Sequence, residues 1–319
     1  MRGAVVSKTK NTAAGVNFTR RAAKLINRDK YLLLLVMPAV IYYILFHYMP
    51  MYGTLIAFVN FRPGTPIFAN EWVGLRWFME FFNSVFFVRL MRNTLILSIM
   101  TIAFSFPLPI VFALLLNEVR HKAFKKTVQT VSYMPFFVSV VVVIGILFNL
   151  FAMTDGIVNN LRESFGLERV DFLNDPAMFR PLYVGTMVWR TFGWNSIIYL
   201  AALSSIDLQL YEAAEIDGAG RFMKLRKVTF PGLIPIITIM LIITLGNVML
   251  VGFEQVLLMQ SPATLSTSDV IQTYVFRRGI LGGQFSFSAA VGLFNSVINL
   301  FLLITANFIS KRLSENSLW

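Results

Sequence analysis

The sequence predicts an all-α integral membrane protein with six transmembrane helices and both termini in the cytoplasm. Three observations carry that expectation. The 319 residues are 56% apolar and only 14% charged, with mean hydropathy +0.67, a balance foreign to soluble domains of this length. Six stretches reach the roughly 20 mostly apolar residues needed to cross a bilayer core. The basic residues crowd the borders of those stretches, as cytoplasmic membrane flanks do.

The chain opens on a basic tail, residues 1–30, with Lys8, Lys10, Arg20, Arg21, Lys24, Arg28 and Lys30. A cleaved signal peptide is the competing reading of a basic start followed by an apolar run. The run 31–48 holds Pro38 and several tyrosines, with no small-residue cleavage site after it, and reads as a retained anchor. Residues 31–92 thus comprise a first spanning helix and a long outer loop. That loop, 49–92, is rich in aromatics (Phe61, Phe68, Trp72, Trp77, Phe78, Phe81, Phe82), which suits interfacial anchoring or an external contact.

Residues 93–309 supply five further spans, near 93–116, 127–151, 181–203, 232–258 and 288–309, ahead of a short cytoplasmic tail at 310–319. Pro107, Pro109, Gly145, Gly193 and Gly246 fall inside them. Membrane helices tolerate such residues where neighbours satisfy the backbone. The basic turn 120–126 reads as a lipid-headgroup anchor or a second contact with a cytoplasmic partner. The loop 152–180 is acidic, with Asp155, Glu163, Glu168, Asp171 and Asp175, and is either solvated or partner-facing.

Charge sets the orientation. Segments 1–30, 117–126, 204–231 and 310–319 hold 18 Lys and Arg, against 9 in 49–92, 152–180 and 259–287. The positive-inside bias places the first set in the cytoplasm. The net charge of +12 then needs no nucleic acid, for which no motif is present. With no Cys and only His47 and His121, no metal site or disulfide is expected. Nor is there a G-x-S-x-G, an H-E-x-x-H, or a glycine-rich phosphate loop with its lysine. No catalytic residue is assigned, and the chain is not expected to hydrolyse ATP.

Residues 206–231 are the longest polar, helix-compatible segment between two apolar ones. Asp207 can cap a helix, Tyr211, Ala213, Ala214 and Ile216 give it a small apolar side, and Gly218 can end it in a left-handed turn. A second short piece sets Phe222, Leu225 and Val228 against Arg221, Lys224, Arg226 and Lys227. Pro231 then fits the first turn of the next apolar helix. Two short helices joined by glycines form a knob, which is either a docking surface or an ordinary basic interfacial helix.

The spacing Glu212-Ala213-Ala214, then Gly218, then Val228-Thr229-Phe230-Pro231 resembles the signature loop of permease subunits in binding-protein-dependent ABC importers. Val228 and Phe230 replace the pattern's Ile and Leu. The likeness extends to Arg92-Asn93-Thr94-Leu95, to Phe124-Lys125-Lys126 with 129–135, to 289–299 and to 313–319. Over about residues 30–319 the chain is similar to the carbohydrate branch, the LplB-like polysaccharide and oligosaccharide permeases. The resemblance implies a type I importer permease fold in a bacterial cytoplasmic (inner) membrane, with one helix ahead of a five-helix core. It implies a second permease subunit, an ATPase pair carrying ATP and Mg, an extracytoplasmic solute-binding protein and a saccharide substrate. It also implies ATPase coupling through Tyr211, Glu212, Ala213, Ala214, Asp217, Gly218, Arg221, Phe222 and Pro231.

Charges inside a bilayer cost about 2.5–3.5 kcal/mol on insertion scales, so Arg190 and Glu254 need a reason. Either they pair with each other, or they line a wet route where Arg190 meets the carboxylate of an acidic, alginate-like saccharide. Asn149, Asn195, Asn247 and Gln255, with Trp189, Trp194 and Tyr199 as flat surfaces, complete a candidate path. Asn and Gln also join helices to one another, the plainer reading. An ion-coupled secondary transporter would show inverted repeats and a midplane carboxylate relay, and a membrane enzyme a polar catalytic cluster. The sequence shows none of these.

Overall fold

The computed structural model describes residues 28–314. Most of the two cytoplasmic tails expected at 1–30 and 310–319 (residues 1–27 and 315–319) lies outside the described residues. The chain divides into two compact units, one ending at Leu55 and one starting at Ile56. Among the described residues no strand forms; a single antiparallel bridge joins Val59 to Trp72.

In the first unit, α1 (Lys30–Tyr43) carries Pro38 and runs into a π turn at Ile44–Tyr48. The helical run Lys30–Phe58, hydropathy 2.0, is long and apolar enough to cross a membrane. Leu35 is 80% exposed and no residue of α1 is buried. A surface that apolar belongs in lipid.

The second unit contains α2 (Arg76–Phe82), α3 (Phe87–Ser105), α4 (Pro107–Asn117), α5 (Lys122–Tyr133), α6 (Val140–Phe151), α7 (Ile157–Ser164) and α8 (Pro176–Ser204). It continues with α9 (Leu208–Ile216), α10 (Arg221–Lys224), α11 (Phe230–Gly246), α12 (Phe253–Met259), α13 (Leu265–Ser268), α14 (Ile271–Val275) and α15 (Phe285–Ser314). Helix α8 is the hub, packed on α3, α4, α5 and α11. Leu97, Leu147, Phe179 and Tyr183 centre one apolar cluster, and Ile110, Tyr199, Leu203 and Leu233 another. A third, of Phe81, Leu90, Tyr274, Phe287 and Val291, anchors the aromatic loop: Phe81 is 1% exposed and meets Phe87 edge-on at 5.1 Å.

The spans depart from the sequence reading in three places. Four helical runs are long and apolar enough to cross a membrane, or five if one bent pair counts as a span. The expected straight helix at 127–151 is that pair, Lys122–Phe137 and Val140–Phe151, bent by 99°. Pro135 lacks the N–H that would continue the ladder, and Ser139 starts α6 afresh by accepting from the Val142 amide. The expected helix at 232–258 stops at Gly246 and resumes only at Phe253. It also begins earlier, joined to α10 through a π turn at Leu225–Thr229. The span expected from 93 begins at Phe87, which draws Arg89 and Arg92 into the helix. Helix α8, 29 residues or about 43 Å long at 1.5 Å per residue, has the length of a span but is too polar to be counted among the apolar runs.

Two close crossings depend on glycine. A Cβ on Gly193 would overlap the Ser132 carbonyl of α5, and one on Gly246 would stand 2.6 Å from Leu303 Cδ1. The first obstacle is backbone and cannot rotate away. Gly193→Val is expected to lower stability by about 1–3 kcal/mol through overpacking, read as a shift in denaturation midpoint of detergent-purified protein. Gly185→Ala, whose Cβ meets nothing within 4 Å, is the control and should leave the midpoint nearly unchanged.

Candidate functional site

The segment 206–231 folds as a closed double elbow. Asp207 caps α9, its carboxylate accepting from the Gln209 amide at 2.9 Å. At the far end Gly218 adopts φ +78°, a left-handed conformation open to glycine at little cost. The Ala219 amide reaches back to the Ala214 carbonyl at 2.8 Å, and Gly218 N–H to Glu215 O at 3.0 Å, which satisfies the last turn. Two side-chain ties then close the elbow: Tyr211 Oη to Thr229 Oγ1 at 3.0 Å and Lys224 Nζ to Glu215 at 2.9 Å.

What the ties leave outside is informative. Glu212, Ala213, Asp217, Gly218, Arg221, Phe222 and Pro231 are exposed, with Tyr211 and Ala214 half-buried. Ile216 is 87% exposed and Phe222 76%. Apolar side chains thus stand out from a hydrogen-bonded frame, beside charged ones.

The Lys224 ammonium, by its hydrogen bond first and its charge second, holds the Glu215 carboxyl below the ordinary carboxylate range. A depressed folded-state value means the tie is fully present above the ordinary pKa and is lost as pH falls through the lowered one. Exchange of the Gly218 and Ala219 amides should therefore quicken, after correction for intrinsic rates, as pH falls below the ordinary carboxylate range. Glu215→Gln should remove that dependence. The effect is small, since the pair is exposed.

Two clefts run along α8. One, of about 550 Å³, is lined by Ser105, Phe106, Trp194, Asn195, Tyr199 and Thr244, among others. The other, of about 290 Å³, is lined by Ser98, Thr101, Tyr183, Thr244, Asn247 and Val251, among others. Thr244 belongs to both, so they adjoin. The second cleft lies beside the non-helical stretch between α11 and α12, whose backbone is satisfied from three other helices. Ser98 of α3 donates to the Val248 carbonyl, the Met249 amide donates to Asn299 of α15 at 3.1 Å, and the Gly252 amide to Tyr183 Oη of α8 at 3.0 Å. Irregular backbone within a membrane protein survives only where protein or a wet cavity supplies partners.

The sequence-predicted path residues separate. Trp194, Asn195 and Asn247 line the clefts. Trp194 also lies flat on Phe136, ring centroids 4.6 Å apart. Trp189 lines a different, apolar groove of about 430 Å³ between α6 and α8. Gln255 is 4% exposed and donates to the Tyr183 carbonyl at 3.0 Å. Glu254 is exposed, and among the described residues no ion pair joins it to Arg190, so the paired reading of these two charges does not hold. Arg190 is half-buried, its Nε buried without a partner.

Sequence reasoning missed a polar knot. Asp269, fully buried, accepts from Arg277 at 2.6 Å and Arg89 at 3.0 Å. Asn93 donates to the Asp269 and Ser266 carbonyls and accepts from Arg180 at 3.0 Å. A charge count offered the signal, since Asp269 is the one carboxylate in 259–287.

The pattern of binding-protein-dependent transport system inner membrane components matches residues 105–315. The chain belongs to that family. Protein LplB of Bacillus subtilis is 42% identical to this permease over 294 residues, 92% of each chain. The polygalacturonan/rhamnogalacturonan transport system permease protein YteP of the same organism is 42% identical over 292 residues, covering 92% of this chain and 91% of its own. Among solved structures, a chain of a bacterial ABC transporter involved in import of the acidic polysaccharide alginate superposes with TM-score 0.85 at 40% identity, covering 92% of this permease and 99% of that chain. The same transporter type is known in complex with an alginate pentasaccharide-bound periplasmic protein. The permease thus shares the all-helical fold of ABC importer membrane subunits.

Proposed function

We propose that this permease is one membrane subunit of an ATP-driven importer that carries acidic oligosaccharides across the bacterial cytoplasmic membrane by alternating access. The observation that carries the reading is the elbow at 206–231, braced inside and bare outside. A separate ATPase pair, holding ATP and Mg, docks on Glu212, Ile216 and Phe222, and its closure moves α8 and α11, the two long helices that the elbow joins. A second permease subunit completes the pathway, and an extracytoplasmic solute-binding protein delivers the sugar. The count of six spans follows from adding α8 to the apolar runs and the bent pair, and the lysine and arginine bias supports cytoplasmic termini. Acidic cargo is supported by Arg190 and by relatives named for polygalacturonan and alginate.

Proteoliposomes containing the permease, its partner subunit, the ATPase pair and the binding protein test this. Trigalacturonate uptake should require hydrolysable ATP and vanish with a non-hydrolysable analogue. Uptake by the permease alone, driven by an ion gradient, would overturn the reading in favour of a secondary transporter.

A further inference from the structure

Arg180 and Arg190 rise from the same side of α8. Ten residues separate them, about 15 Å along the axis and about 80° around it. Tyr183 and Trp194, which line the two clefts, share that side. Neither arginine joins an ion pair among the described residues. Each has its Nε buried and without a hydrogen-bond partner. Arg180 spends one N–H on Asn93 Oδ1 at 3.0 Å. The adjacent Arg92, exposed on α3, adds a repelling like charge.

Nearby carboxylates do not relieve this. Asp269 is committed to Arg89 and Arg277. A membrane protein holds guanidinium groups without carboxylate partners where an anion or water visits them. Three such groups, Arg92 beside Arg180 and Arg190 further along α8 toward the cleft residue Trp194, match a ligand that bears carboxylates at regular intervals.

We infer that Arg92, Arg180 and Arg190 form a ladder of carboxylate-binding steps that leads a polyuronate from the outer mouth to the clefts along α8. Arg180 is the first fixed step, held by Asn93, and Arg190 is the next, one helical turn before Trp194 of the wider cleft. Forked N–H groups suit a carboxylate, which a planar guanidinium binds through two parallel bonds. The inference rests on the acidic-saccharide reading above.

The test is direct binding to the permease–ATPase complex in nanodiscs, without the binding protein, whose own selectivity is thereby removed. The probes are trigalacturonate and its methyl ester, which has the same backbone with the carboxylates masked. The wild-type complex should bind the acid more tightly than the ester. Arg180→Gln and Arg190→Gln should each weaken acid binding about tenfold, the loss of one charge-assisted contact, and leave ester binding unchanged. Arg180→Lys should recover much of the loss. Equal weakening of acid and ester would assign the arginines a structural role and overturn the ladder, as would equal wild-type affinity for the two probes or unchanged binding in the Gln variants. ATP-driven uptake that persists alongside any of those results would leave the importer reading standing while the ladder falls.

Discussion

Asp269→Ala is expected to lower the stability of the purified permease by about 3–5 kcal/mol, the cost of breaking a buried ion pair from one side. The carboxylate is 0% exposed and binds Arg277 at 2.6 Å, Arg89 at 3.0 Å and Thr273 Oγ1 at 3.3 Å. Removing it strands the two guanidinium groups that converge on its carboxylate. It also loosens the segment 265–277, which Asn93 holds only through backbone carbonyls. Both arginines are about one-third exposed, so water recovers part of the loss and the lower end of the range applies. Asp269→Asn keeps acceptor capacity without the charge and should fall between. Glu80→Ala, which breaks an exposed pair with Arg278, should cost no more than about 1 kcal/mol. Urea denaturation in detergent separates the three.

Gly218→Pro is expected to cut ATP-driven uptake about tenfold or more while leaving the membrane helices as stable as before. Proline fixes φ near −65°, whereas Gly218 sits at +78°, and proline has no N–H to give the Glu215 carbonyl. The strain is of order 1–3 kcal/mol, and each 1.4 kcal/mol is a factor of ten in the population of the competent elbow. Gly220→Ala is the matched control, because Gly220 has φ −68° and open space around its Cβ position. Co-purification with the ATPase should fail for the first variant and persist for the second.

The elbow was legible because its determinants are local. An aspartate at the N-cap, small residues on one side, and a glycine where φ must be positive are each readable within a turn or two of the chain. The breaks in the spans were not. The apolar run through 247–252 looks helical by hydropathy, and only Ser98, Asn299 and Tyr183, 50 or more residues away in sequence, make its non-helical backbone tolerable. Pro135 was visible, but neither the size of the bend nor the fresh start at Ser139 could be read from one residue. The knot at Asp269 escaped for the same reason, since its partners Arg89 and Asn93 come from another helix.

If the elbow faces the cytoplasm and receives work from an ATPase, a thiol placed on it is reachable from that side alone. The chain contains no cysteine, so Ile216→Cys, at an 87% exposed position, introduces a single thiol. A membrane-impermeant maleimide should label it in inside-out vesicles, not in right-side-out ones, and bound ATPase should protect it. Labelling from the outer face of right-side-out vesicles would place the elbow on the extracytoplasmic side and rule out ATPase docking there.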